Sequence, residues 1–124
     1  MLRCCYAAAL PILIAGCGPR AATSNPEKAV ELVRTVLDAW KEGRPAGSLK
    51  EGHSPIHAAD PLWDAGARLI KYEIDEADTR VEGYDVRCPV KLWLEIQGNQ
   101  KAGVGVFYSV ATTPNQVVVR DAGG

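Results

Sequence analysis

Tyr84-Asp85-Val86-Arg87-Cys88-Pro89-Val90-Lys91-Leu92-Trp93-Leu94-Glu95-Ile96 alternates apolar and polar side chains over thirteen residues. A period of two belongs to a strand buried on one face only. Tyr84, Val86, Cys88, Val90, Leu92, Leu94 and Ile96 therefore face a core, and Asp85, Arg87, Pro89, Lys91, Trp93 and Glu95 face away from it. Pro89 has no N–H to donate to a ladder, which predicts an edge position or a bulge there. Trp93 is an aromatic side chain on the outward face; it marks that face as an interaction surface, covered by the loop around Trp63.

Downstream, Gly98-Asn99 supplies a tight hairpin turn. Ala102, Val104, Val106, Tyr108 and Val110 then alternate back, with Gly103 and Gly105 on the opposite face. Thr113-Pro114-Asn115 makes the next turn, and Gln116 to Arg120 is a last strand. Upstream, Ile70, Tyr72 and Ile74 alternate with Lys71 and Glu73 as a first strand, and the acidic run Asp75 to Asp78 leads into a turn that includes Glu82 and Gly83. Four consecutive strands joined by short turns predict one antiparallel sheet.

Between Arg44 and Gly66 breakers accumulate (Pro45, Gly47, Gly52, Pro55, Pro61), so short turns are expected rather than a long element. Ser48 to Glu51 and Asp60 to Asp64 each suit one helical turn, the second capped by Asp60 with Pro61 following it. Leu62 and Trp63 supply the apolar contacts that pin so long a connection. Further back, Ser24 and Asn25 are N-cap types, Pro26 suits a first turn and Glu27 complements the helix dipole. Ala29, Val30, Val33, Val36, Leu37 and Trp40 recur every three or four residues, which predicts an amphipathic helix ending near Glu42, before Gly43 and Pro45.

The fold class expected is α+β: one long N-terminal helix packed on a curved four-stranded antiparallel sheet. That order of elements resembles the cystatin-like and NTF2-like superfamilies. The Asn-Pro-Glu-Lys-Ala start at residue 25, Leu-Asp-Ala-Trp-Lys-Glu-Gly at the helix end, Asp60-Pro61-Leu62-Trp63 and the closing Val-Val-Arg look like small uncharacterised bacterial lipoproteins of that shape. The resemblance implies an architecture and no mechanism, because such folds carry enzymes, transport factors, inhibitors and assembly parts alike.

Residues 1 to 18 carry an address. Arg3 gives a positive start, Cys4 to Leu13 is an apolar run too short to span a bilayer, and Ile14-Ala15-Gly16-Cys17 follows. This resembles the lipobox of bacterial lipoprotein signal peptides, which implies cleavage before Cys17 and acylation of its thiol. The domains expected are 1–16 signal peptide, 17–24 lipidated tether, 25–121 a single α+β domain and 122–124 a tail. Gly18, with no Asp at that position, implies by the same resemblance an outer-membrane anchor facing the periplasm. The partners expected are the membrane, through lipid on Cys17, and an envelope protein.

Loss of residues 1–16 leaves 108 of 124 residues, enough for one core. The net charge of −1 becomes −2 with Arg3 gone, and basic and acidic residues are interspersed, so no nucleic-acid surface is expected. Cys88 alone remains inside the domain, which rules out an internal disulfide and suits a buried apolar thiol. His53 and His57 are four apart, but Pro55 lies between them and no further ligand cluster completes a metal shell. No metal or cofactor is expected.

His57, Asp60 and Asp64 form a polar set suited to acid and base work in an NTF2-like pocket. The inward faces are filled with Val, Leu, Ile and Tyr, which favours a packed core. The sequence lacks a phosphate loop, a nucleophilic serine motif and the Gln-x-Val-x-Gly motif of cystatin inhibitors. The function expected is a non-catalytic binding or assembly module of the cell envelope; the alternative is an NTF2-like small-molecule-binding or enzymatic domain.

Overall fold

A computed structural model describes residues 23–121; the signal segment, Cys17 and the tail lie outside the described residues. Helix α1 (Pro26–Lys41) opens with Asn25, whose side chain accepts the Lys28 N–H at 2.9 Å. It ends one residue before the expected boundary, where Glu42 caps it and Gly43 takes a positive φ of 83°. Ala29, Leu32, Val33, Val36, Leu37, Ala39 and Trp40 form its buried face. Ser24 is not the cap. It is buried, its N–H donates to the Tyr84 carbonyl at 2.9 Å, and its hydroxyl accepts the Thr112 N–H at 2.9 Å.

The sheet corrects the sequence expectation: it is mixed and six-stranded. Strands β1 (Ile56–Ala59), β2 (Arg68–Ile74), β3 (Arg80–Glu82), β4 (Asp85–Ile96), β5 (Asn99–Ala111) and β6 (Gln116–Arg120) run in the order β1-β6-β5-β4-β2, with β3 also paired to β4. β1 lies parallel to β6 and the other pairings are antiparallel. Two strands lay hidden in the sequence because each is too short to show a period: β1 is four residues between Pro55 and Asp60, and β3 is three residues inside an expected turn. The sheet curls over α1.

Pro89 is neither in an edge strand nor in a bulge. β4 is paired along both sides, to β5 with a register shift between Leu92 and Leu94, and on the other side to β2 over Val90–Glu95 and to β3 over Asp85–Arg87. Pro89 falls where β2 has ended and β3 has left. Its carbonyl accepts the Asp75 N–H at 2.9 Å on that side. A residue's N–H and C=O face the same neighbour in an antiparallel strand, so the missing donor points into the gap between β2 and β3.

Three register details also differ. One is a bulge in β5, where Leu92 pairs with Val104 but Leu94 with Lys101 and Gly103 takes a positive φ of 66°, so the expected alternation stops at Val104. A bulge between Leu69 and Lys71 adds a residue to β2, so Leu69 is buried, Ile70 is 41% exposed, and Tyr72 and Ile74 return to the helix side. Tyr72 donates its hydroxyl to Asp38 at 2.7 Å, tying β2 to α1. Burial, and then the Asp38 carboxylate, push its phenol up to about 12. The β4–β5 turn is Gln97-Gly98, one residue earlier than expected. Both residues have positive φ, 52° and 84°, as a two-residue primed turn requires.

The connection from α1 to β2 contains a 3₁₀ turn (Ala46–Lys50), β1 and the short helix α2 (Pro61–Asp64). Two indoles tether it. Trp40 and Trp63 stack with centroids 5.4 Å apart and planes 10° from parallel. The Trp40 N–H donates to the Ala67 carbonyl at 2.8 Å and the Trp63 N–H to the Arg44 carbonyl at 3.1 Å. Trp63 thus sits inside, and it is Lys71 that covers Trp93, its ammonium 4.6 Å from the ring centre.

Cys88 lies on the helix face with no exposed surface, and burial pushes its thiol up to about 11. The expected outcome is that Cys88 in the folded domain is inert to a thiol reagent at neutral pH and reacts fully in denaturant. Stoichiometric labelling of the native domain would contradict this placement.

Candidate functional site

Asp60, His57 and Asp64 do not come together. Alternation along β1 sends Ile56, Ala58 and Asp60 toward the helix side and His57 to the exposed side. His57 and His53 border a surface concavity of about 500 Å³, together with Lys50 and Gln116. Asp64 is exposed at the end of α2, beside a different concavity of about 420 Å³ under Trp40 and Trp63.

Asp60 is 2% exposed and its carboxylate is fully engaged. Oδ1 caps α2 by accepting the Leu62 N–H at 2.8 Å and also accepts Arg120 Nη2 at 3.0 Å. Oδ2 accepts Arg120 Nη2 at 2.7 Å, Arg120 Nε at 3.1 Å and the Tyr108 hydroxyl. Strand register creates this group. Tyr108 and Arg120 are direct cross-strand partners, and Ala59 pairs with Val119, so Asp60 emerges beside Arg120. Burial, and then the neighbouring carboxylate, push the Tyr108 phenol far above its ordinary value, so it stays a hydrogen-bond donor. A carboxylate with its lone pairs committed to a guanidinium, a phenol and a helix cap is a structural clasp, not a free base. Sequence reading assigned Tyr108 to the core and gave Arg120 no role, since the pairing depends on β1 lying parallel beside β6.

The outward face of the sheet is different in kind. Half-buried Trp93 lies under Lys71, and the Arg87 guanidinium sits 3.8 Å from the centre of the Phe107 ring. Pro89 is opposite Phe107 and Lys91 is opposite Gly105. A concavity of about 440 Å³ opens here, with Glu73, Pro89, Lys91, Gly105 and Phe107 among its walls. A Cβ added at Gly105 would meet nothing within 4 Å, and no positive φ calls for glycine there. Nothing within the described domain fills the space this glycine leaves on the outward face.

Among the described residues there is no group of three His, Cys, Asp or Glu placed to hold a metal, and no helix is long and apolar enough to cross a membrane. The chain is an α+β protein with one long helix against a curled mixed sheet. No family model matches it, and no curated protein or solved structure matches it.

Proposed function

We propose that this chain is a lipid-anchored protein of the bacterial cell envelope, acylated on Cys17, facing the periplasm from the outer membrane and acting as a non-catalytic binding or assembly module through the outward face of its sheet. The observation that carries the binding role is the contrast between the two faces. The helix side is an apolar core whose buried carboxylate is consumed by Arg120 and Tyr108. The outward side presents Trp93 under Lys71, and Phe107 under Arg87 with Pro89 beside the bare backbone of Gly105; aromatic residues and arginine are enriched at interfaces. The finer likeness to cystatin-like and NTF2-like domains belongs to this proposal; the single long helix and curled sheet support it, and the parallel β1 departs from the arrangement expected. The alternative of an enzymatic or small-molecule pocket built on His57, Asp60 and Asp64 draws no support from their separation.

The anchor is supported by the apolar run and the Ile14-Ala15-Gly16-Cys17 segment. Radiolabelled palmitate should enter the wild-type protein in cells, and Cys17→Ser should abolish that labelling. Inhibition of the lipoprotein signal peptidase should make a heavier precursor accumulate. Labelling that survives Cys17→Ser would overturn the anchor. In the same cells, a photocrosslinker placed at Trp93 should capture a discrete envelope partner that one at His57 does not; identical patterns would overturn the binding face.

A further inference from the structure

The domain's first described contacts fix where a tether from Cys17 leaves it. The Ser24 N–H is bonded to the Tyr84 carbonyl, its hydroxyl to Thr112, and the Asn25 N–H to Thr112 Oγ1 at 3.0 Å. The chain therefore departs from between the β3–β4 hairpin and the β5–β6 turn. Seven residue steps separate Cys17 from Ser24, which bounds the distance between them at about 25 Å. Among the described residues the large exposed apolar side chains are Ile70, Val81 and Tyr84, at 41%, 41% and 64%. Two of the three stand in the hairpin that Ser24 is bonded to.

We infer that the hairpin Val81-Glu82-Gly83-Tyr84 lies against the bilayer, with Tyr84 and Val81 entering the headgroup region of a zwitterionic lipid surface. This rests on acylation of Cys17 as proposed above. Tyrosine suits that depth because its ring is apolar and its hydroxyl can stay wet. The hairpin has no excess of positive charge: Arg80 is bonded to Asp78, Arg87 is paired with Glu82 at 3.7 Å, and Asp85 adds a further carboxylate. Anionic lipid therefore gives it no added attraction, which is why the surface is assigned as zwitterionic. The opposite end of β4, where Glu95 pairs with Gln100, lies about 33 Å further along the strand, so the hairpin contact would hold the sheet standing away from the membrane.

The test uses the full acylated chain, purified from bacterial envelopes and reconstituted in phosphatidylcholine vesicles. Glu82→Cys and Gln100→Cys each carry a nitroxide; buried Cys88 takes none. The label at 82 should lose collisions with a water-soluble nickel chelate and gain collisions with oxygen, relative to the label at 100. Val81→Ser with Tyr84→Ser, in the Glu82→Cys background, should restore the nickel collisions. Equal accessibility at 82 and 100, or shielding that survives the double substitution, would overturn the contact while leaving the anchor standing. Dipolar broadening between labels at 82 would show a second copy there and would also overturn it. Intact mass reports acylation separately; an unacylated wild-type chain would sink the anchor and this inference together.

Discussion

Trp40→Ala is expected to remove about 3–5 kcal/mol, the usual cost of truncating a buried aromatic, from a domain whose whole stability is on the order of 5–15 kcal/mol. The loss has several sources. The ring is 3% exposed, stacks on Trp63, and ties α1 to Ala67 through its N–H. Its removal leaves that buried carbonyl without its donor and frees one side of Trp63, so the connection from residue 44 to 67 loosens as well. Trp93→Ala removes a half-buried ring whose described partner is Lys71, and should cost about 1 kcal/mol. Urea melts of the two variants in a chain without residues 1–17 should show a large drop in midpoint for the first and a small one for the second. Equal drops would mean that the two faces of the sheet are assigned wrongly.

Asp60→Ala is the second large effect, also about 3–5 kcal/mol, because breaking a buried ion pair from one side leaves the other charge uncompensated. The Arg120 side chain is 17% exposed and would keep its charge without a carboxylate, while the Tyr108 hydroxyl and the Leu62 N–H would lose their acceptor. Asp60→Asn keeps the shape and a cap acceptor and should lose less. The combined Asp60→Leu and Arg120→Met chain should be more stable than Asp60→Ala, since neither charge is stranded. Thermal or urea unfolding of the four proteins checks the order. A stable, fully folded Asp60→Ala would remove the clasp from the account and return Asp60 to the list of groups free for chemistry.

How far the sequence carried the reading depended on element length. Helix α1 and strand β4 were legible because twelve or more residues repeat one period, β5 because Val104 to Val110 alternate before a bulge breaks the phase, and even the α2 cap at Asp60 followed from local chemistry alone. β1 and β3 were not, since three or four residues cannot establish a period, and β1 acquires its meaning from a partner near residue 117. Ile70 misled for a related reason: a bulge changes the phase of β2 without changing its composition. The outward face was half legible. Trp93 announced it, but the cation over Phe107 and the open backbone at Gly105 depend on the β4–β5 register. Tyr108 and Arg120 meet Asp60 across 48 and 60 residues, a separation no local pattern encodes.

β6 is the last of the described strands and yet an interior strand of the sheet, lodged between β1 and β5. Until it is synthesised and docks, β1 has no neighbour in the sheet, Asp60 has no guanidinium, and the chain from residue 56 to 116 is a loop whose closure is still opposed by entropy. A nascent chain would therefore leave β1 apart from the rest of the sheet until β6 arrives. A product that stops before Gln116 would be missing the piece that joins one side of its sheet to the other.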